Sequence, residues 1–230
     1  MARVVALVED EPAILENYTD ALTREGYDVK AFLDARSALS WCRARLPDLA
    51  VLDIRLGNEA EAGFGLCREL RSLSSSLPIV FLTARDSDVD VVSGLRVGAD
   101  DFVSKDTSLP HLLARIAALF RRVDALREPG KAAEVLDRGD LRLDQDRMQT
   151  TWKGHVIDLT VTEYWILHAL ARYPGHVKTR DQLMQEASVV VDDATITSHI
   201  KRVRRKFEAV DVDFDGIETV YGLGYRWTSV

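Results

Sequence analysis

Leu49-Ala50-Val51-Leu52-Asp53 is a run of four apolar residues that ends on a carboxylate, and its reading decides the fold of the first half of the chain. Such a run reads as a candidate buried strand with a polar group at its carboxyl end. Three further runs repeat the pattern. Val4 to Val8 leads into Glu9 and Asp10, Ile79 to Leu82 leads into Thr83, and Phe102-Val103 is followed by Lys105. In an open parallel α/β sheet these strand ends converge on one crevice, where ligands bind. Three carboxylates, a hydroxyl and an ammonium gathered there suit a hard divalent cation and a phosphoryl group.

Outward from these runs, residues 1–125 alternate short apolar strands with amphipathic helical stretches, the signature of repeated βαβ units. Strands are expected near 3–8, 28–32, 49–52, 78–82 and 100–103. Helices are expected over 12–25, 36–45, 64–73, 87–97 and 109–123, with Pro12 in a first helical turn where its missing N–H does no harm. Asp124 to Glu134 is polar, aperiodic and interrupted by Pro129-Gly130, and it reads as a linker. The expected division is 1–123, a linker over 124–134, and 135–230.

The second half has a different texture. Leu141-Arg142-Leu143, Gln149 to Trp152 and Val156-Ile157 alternate like a small antiparallel sheet. Helical segments follow at 160–173, 179–187 and 193–208. Thr160 with Glu163 three residues on predicts a capping box, and Thr179 before Arg180-Asp181-Gln182 predicts a similar start. The chain closes with Glu218-Thr219-Val220 and Tyr225-Arg226-Trp227 around Tyr221 to Gly224, a β-hairpin. Sheet, three helices and hairpin is the order of a winged helix-turn-helix. The expected fold class is therefore a five-stranded, doubly wound parallel α/β domain followed by an α+β winged-helix domain.

Bulk properties agree with a cytoplasmic, two-domain protein. At 230 residues the chain has room for two ordinary domains. It has no stretch long and apolar enough to span a bilayer, and no signal-peptide layout at its start. Cys42 and Cys67 lie in helical patterns and are expected to be reduced thiols packed as small hydrophobes. The net charge of −7 argues against an overall basic nucleic-acid binder. Positive charge is instead concentrated in Lys201-Arg202-Val203-Arg204-Arg205-Lys206, five basic residues in six.

The chain resembles a two-component response regulator of the OmpR/PhoB type, a receiver domain joined to a winged-helix DNA-binding domain. The resemblance runs through Val8 to Pro12, Leu52 to Leu56, Leu82 to Arg85 and Gly98 to Phe102. It continues through Leu159 to Tyr164, His199 to Lys206 and Gly222 to Arg226. It implies that Asp53 is the phosphoacceptor for a phosphohistidine on a sensor histidine kinase. Glu9, Asp10, Asp53 and the backbone carbonyl of Arg55 would hold Mg²⁺. Lys105 would neutralise the phosphoryl oxygens, Thr83 would hydrogen-bond them, and Phe102 would be the aromatic switch. Crowded carboxylates and phosphoryl oxygens are what Mg²⁺ favours.

The resemblance also implies a homodimer on phosphorylation, through Asp100, Asp101, Arg115 and Arg122. Val91 and His111 stand where an ion pair is usual. In the second domain the segment 193–208 is the recognition helix for tandem half-sites in promoter DNA. Thr195, Ser198, His199, Arg202 and Lys206 share a face, and Thr197, Lys201 and Arg205 join them as candidate DNA contacts. Ile196, Ile200, Val203 and Phe207 make the apolar stripe. Tyr221 sits in the wing where an arginine is usual.

Several positions depart from the family pattern. Asp106 follows Lys105 in place of a proline whose peptide bond is cis. The loop Gly57 to Gly63 lacks the usual proline and is about two residues longer. Ala194 replaces an arginine, and the turn 187–193, which in relatives contacts RNA polymerase, is about three residues shorter. The expected function is a phosphorylation-controlled transcriptional regulator rather than an enzyme. The alternatives are a constitutive DNA binder whose receiver is a dimerisation scaffold, and a phosphotransfer or protein-interaction module that no longer reads specific DNA.

Overall fold

The computed structural model describes residues 2–57, 59, 61–83, 97–125, 135–187 and 193–228, with only the backbone described at Thr83, Asp193 and Ala194. The chain forms two compact units, Met1–Ala117 and Ala118–Val230. In the first, β1 (Val4–Val8), α1 (Pro12–Arg24), β2 (Asp28–Phe32), α2 (Ala35–Ala44), β3 (Leu49–Asp53) and α3 (Ala62–Leu73) come in that order. They are followed by β4 (Ile79–Thr83), β5 (Asp101–Ser104) and α4 (Leu109–Ala125), and the unit boundary falls within α4. All but the last residue of the helix expected over 87–97 lies outside the described residues.

The sheet is parallel throughout, in the order β2-β1-β3-β4-β5. Every residue of β1 and β3 is buried. That explains why these strands are unbroken apolar runs rather than alternating ones: both faces of the sheet are covered. Ala50, Leu52 and Phe81 from the sheet pack with Phe64, Cys67 and Leu70 from α3. Cys42 and Cys67 are both free and buried, and burial pushes the Cys42 thiol up to about 11. Pro12 opens α1, and Asp34 caps α2 by accepting from the Ser37 N–H at 2.8 Å.

The second unit begins its sheet earlier than the sequence indicated. Val135–Arg138 is a strand (β6) that pairs with β7 (Leu141–Asp144), β8 (Gln149–Trp152) and β9 (His155–Ile157) in an antiparallel meander. Its single buried apolar residue, Leu136, is too little alternation to mark a strand in the sequence. Next come α5 (Val161–Arg172), α6 (Arg180–Glu186), α7 (Asp193–Glu208) and the hairpin β10 (Ile217–Val220) and β11 (Gly224–Trp227). Both expected capping boxes form, Thr160 with Glu163 and Thr179 with Gln182. Trp152, Phe207, Phe214 and Trp227 meet at centroid separations of 4.5 to 6.5 Å, and this aromatic knot ties α7 to both sheets.

Candidate functional site

In the first unit the chain runs from β1 to β2 on one side and returns to β3 on the other. The crevice at the carboxyl ends of β1 and β3 is therefore a topological switch point, where such sheets bind ligands. β1 delivers Glu9 and Asp10, β3 ends on Asp53, and Lys105 follows β5. Lys105 Nζ lies 2.7 Å from Asp53 Oδ2 and 2.9 and 2.7 Å from the two oxygens of Glu9. One oxygen from each of Glu9, Asp10 and Asp53 fits within 4.8 Å of the others. The Arg55 N–H donates to Asp53 Oδ1 at 3.3 Å, and the Gly57 N–H donates to Asp10 Oδ2 at 2.9 Å.

Burial sets the electrostatics of this pocket. Glu9 is 0% and Asp53 4% exposed. Desolvation raises the proton affinity of both carboxyls, and the Asp53 charge adds to it at Glu9, while the Lys105 ammonium only partly offsets the rise. For Lys105, burial pulls the pKa down, but hydrogen bonds to Asp53 and Glu9 and their charges outweigh it and the ammonium is held on. Three carboxylates face this one ammonium, so the cluster is short of positive charge. Oxygen donors at this spacing fit a hard divalent cation, whose charge would restore the balance.

Thr83 ends β4 opposite Ser104 of β5, so its backbone lies beside the strand that presents Lys105; its side chain lies outside the described residues. Phe102 is half-buried, its ring 5.2 Å from that of Phe81. The Lys105–Asp106 peptide bond is trans, as no peptide bond among the described residues is cis.

The residues expected at a dimer interface are placed differently. Asp100 is 0% exposed and bonds Arg71 Nη2 at 2.7 Å and the Ile79 N–H at 3.0 Å. The same guanidinium reaches the carbonyls of Gly98, Ser75 and Leu77. Asp100 therefore closes a clamp inside its own unit and is not a surface charge. Asp101 is also buried and pairs with Arg115 of the same chain at 2.9 Å. Arg122, in the second unit, is buried with its Nη1 2.9 Å from Thr162 Oγ1. His111 is exposed, and Val91 lies outside the described residues.

On α7 the apolar stripe Ile196, Ile200, Val203 and Phe207 is buried as expected, but the flanking face is covered too. Thr195, His199 and Arg202 are buried, Arg202 Nε lies 2.7 Å from Glu163 Oε1, and Lys206 Nζ lies 2.6 Å from Glu163 Oε2. The buried candidates Thr195, His199 and Arg202 are thus corrected to packing and ion-pairing roles, while Lys206 is half-exposed beside them. Three- and four-residue spacing identifies a shared face but not whether another helix covers it. The exposed stripe is Thr197, Lys201 and Arg205, with Ser198 half-exposed beside it.

Arg204, which spacing alone did not single out, donates to Ile217 O and to Thr219 Oγ1 at 2.8 Å and fixes α7 to β10. At the hairpin tip Tyr221 is 93% exposed, while Tyr225 and Trp227 are buried. The hairpin's root is equally fixed. Tyr225 exchanges backbone hydrogen bonds with Lys178, and a Cβ on Gly224 would lie 2.0 Å from the Lys178 carbonyl oxygen.

Comparison with known proteins places this geometry. Residues 5–117 match the response regulator receiver domain, and residues 154–227 match the C-terminal domain of transcriptional regulatory proteins. The chain is 37% identical over 227 residues to transcriptional regulatory protein BaeR of Escherichia coli, covering 97% of this chain and 92% of that one. It is 38% identical over 229 residues to DNA-binding response regulator MtrA of Mycolicibacterium smegmatis, covering 98% and 97%. Among solved structures, response regulator DrrB of Thermotoga maritima, an OmpR/PhoB homolog, is 30% identical with a TM-score of 0.53, over 99% of this chain and 100% of that one. Among the described residues no helix is long and apolar enough to cross a membrane. The chain belongs to the OmpR/PhoB-type response regulators, transcriptional regulators of two-component systems that join a receiver domain to a C-terminal DNA-binding domain.

Proposed function

We propose that the protein is a phosphorylation-controlled DNA-binding regulator, acting in the cytoplasm and switched by a phosphoryl group on Asp53. The observation that carries this reading is the Asp53 carboxylate, 4% exposed at the switch-point crevice, with one oxygen 2.7 Å from Lys105 Nζ and Glu9 and Asp10 beside it. An Asp53 oxygen attacks the phosphorus of a phosphohistidine on a sensor kinase. The P–O bond forms, the P–N bond breaks, and the imidazole nitrogen leaves with the electron pair. Lys105 neutralises a transferring oxygen, and burial excludes water from the acyl phosphate. Glu9, Asp10, Asp53 and the Arg55 carbonyl would hold Mg²⁺, which supplies charge neutralisation to a reaction that depends mainly on positioning and electrostatics. Thr83 would hydrogen-bond the new phosphoryl group and Phe102 would follow it inward.

Phosphorylation then favours a homodimer, which sets two copies of the Thr197-Lys201-Arg205 stripe on successive half-sites of promoter DNA, with RNA polymerase the further partner. Two-fold pairing through Asp101 and Arg115 would need these residues to exchange the partners they have within one chain. The test is intact mass after incubation with Mg²⁺ and a small acyl phosphate, alongside molar mass in solution. The expected result is one added phosphoryl group on the wild type, none on Asp53→Ala, and a shift from monomer to dimer. No phosphorylation by the donor or by candidate kinases, with an unchanged oligomer, would favour the constitutive DNA binder instead.

A further inference from the structure

The loop after β3 carries a glycine at position 57, and the structure shows what that residue's backbone does. Leu56 and Glu59 exchange backbone hydrogen bonds, both at 3.4 Å, closing a tight turn. Gly57 sits at its start with φ +66°, a left-handed conformation that glycine adopts without steric cost. The turn aims the Gly57 N–H at Asp10 Oδ2, 2.9 Å away. A proline at this position would carry no N–H. The carboxylate reached in this way belongs to the three-carboxylate cluster of Glu9, Asp10 and Asp53.

We propose that the Gly57 amide is a positioning group for the divalent cation, an inference that rests on reading the cluster as the Mg²⁺ site. By donating to Oδ2 it takes up one of that oxygen's lone-pair sites, which disfavours chelation of a cation through both Asp10 oxygens and fixes the direction of the carboxylate. Mg²⁺ demands near-ideal octahedral geometry and is bound through few carboxylates, whereas Ca²⁺ accepts bidentate carboxylates in a flexible shell. An Asp10 disposed toward single-oxygen ligation therefore favours Mg²⁺ over Ca²⁺. The amide touches neither the phosphoryl group nor the cation and acts only through Asp10.

The test is calorimetric titration of the full chain with Mg²⁺ and, separately, with Ca²⁺, for wild type, Gly57→Ala and Gly57→Pro. No atom lies within 4 Å of a Cβ placed on Gly57, so the alanine side chain has room there and its cost is the positive φ alone. Alanine keeps the N–H but resists positive φ, and proline removes both the donor and the conformation. The Mg²⁺ Kd is expected to rise about threefold in the alanine variant and about tenfold in the proline variant, as befits one hydrogen bond to a charged group. The Ca²⁺ Kd is expected to change less than about twofold on the same grounds. A merely structural role for the turn would move both constants together, and that result would overturn the proposal, as would an unchanged Mg²⁺ Kd. A wild type that binds no Mg²⁺ would overturn both the proposal and the reading of the pocket. As a check independent of the variants, the Gly57 amide of the wild type should stay protected from hydrogen exchange through saturation with Mg²⁺. Loss of that protection would show a bond that competes with the cation, and would also overturn the proposal.

Discussion

Replacing Glu163 by Gln removes one charge and little else. The side chain is fully buried, and its carboxylate pairs with Arg202 at 2.7 Å and Lys206 at 2.6 Å while accepting from the Thr160 N–H at 2.9 Å. Glutamine keeps the volume and an oxygen for the capping bond. Burial alone would raise the Glu163 pKa, but the charges of Arg202 and Lys206 and the bonds they make hold it down, at about 2 against the ordinary 4.5. A depressed carboxyl pKa contributes stability that is fully present above the unfolded value and is lost as pH falls toward the folded one. The linkage is worth about 3 kcal/mol at pH 7 and roughly half that at pH 3. Removing the Glu163 charge beside the buried Arg202 guanidinium costs a similar ~3–5 kcal/mol. Urea unfolding followed by tryptophan fluorescence reports this unit well, because it holds Trp152, Trp165 and Trp227 and the first unit only Trp41. The expected outcome is a variant less stable by about 3 kcal/mol at pH 7, with the gap closing by about half as pH falls to 3. A gap under about 1 kcal/mol at pH 7, or one that does not change with pH, would refute the reasoning.

The corrected recognition face predicts a second split. Lys201→Ala and Arg205→Ala should leave unfolding unchanged and each lower the slope of log affinity against log salt by about 0.9 in a DNA-binding titration. Arg202→Ala should instead destabilise the second unit, with loss of DNA binding only in proportion to unfolding. In the first unit, Asp100→Ala leaves the Arg71 guanidinium and the Ile79 N–H without their buried partner. Scanning calorimetry should show the receiver transition weakened by roughly 3 kcal/mol, consistent with breaking a buried pair from one side. An unperturbed transition together with an altered dimerisation constant would restore Asp100 to an interface role.

Much of the site was legible because its parts are local. The strand-end positions of Glu9, Asp10, Asp53 and Lys105 follow from where apolar runs stop, and both capping boxes follow from a spacing of three residues. Chain order and a parallel sheet then suffice to bring those strand ends to one crevice. The capping role of Glu163 was read from its distance to Thr160; its ion pairs with Arg202 and Lys206 were not, because those residues lie far along the chain.

Local periodicity and capping depend on neighbours a few residues away, so the sequence by itself determined the helices that the structure describes, nearly all the described strands, the division into two units and the composition of the acidic pocket. Which charges are covered depends on contacts between distant elements, and only the tertiary structure decided those. It seated Arg202 and Lys206 on Glu163 and so turned the outer stripe of α7 to Thr197, Lys201 and Arg205. It closed Asp100 over Arg71, 29 residues earlier. It also folded the loop after β3 back so that a backbone amide meets Asp10, 47 residues before it. A buried charge draws whatever partner the packing brings within reach, and no spacing rule along the chain encodes that reach.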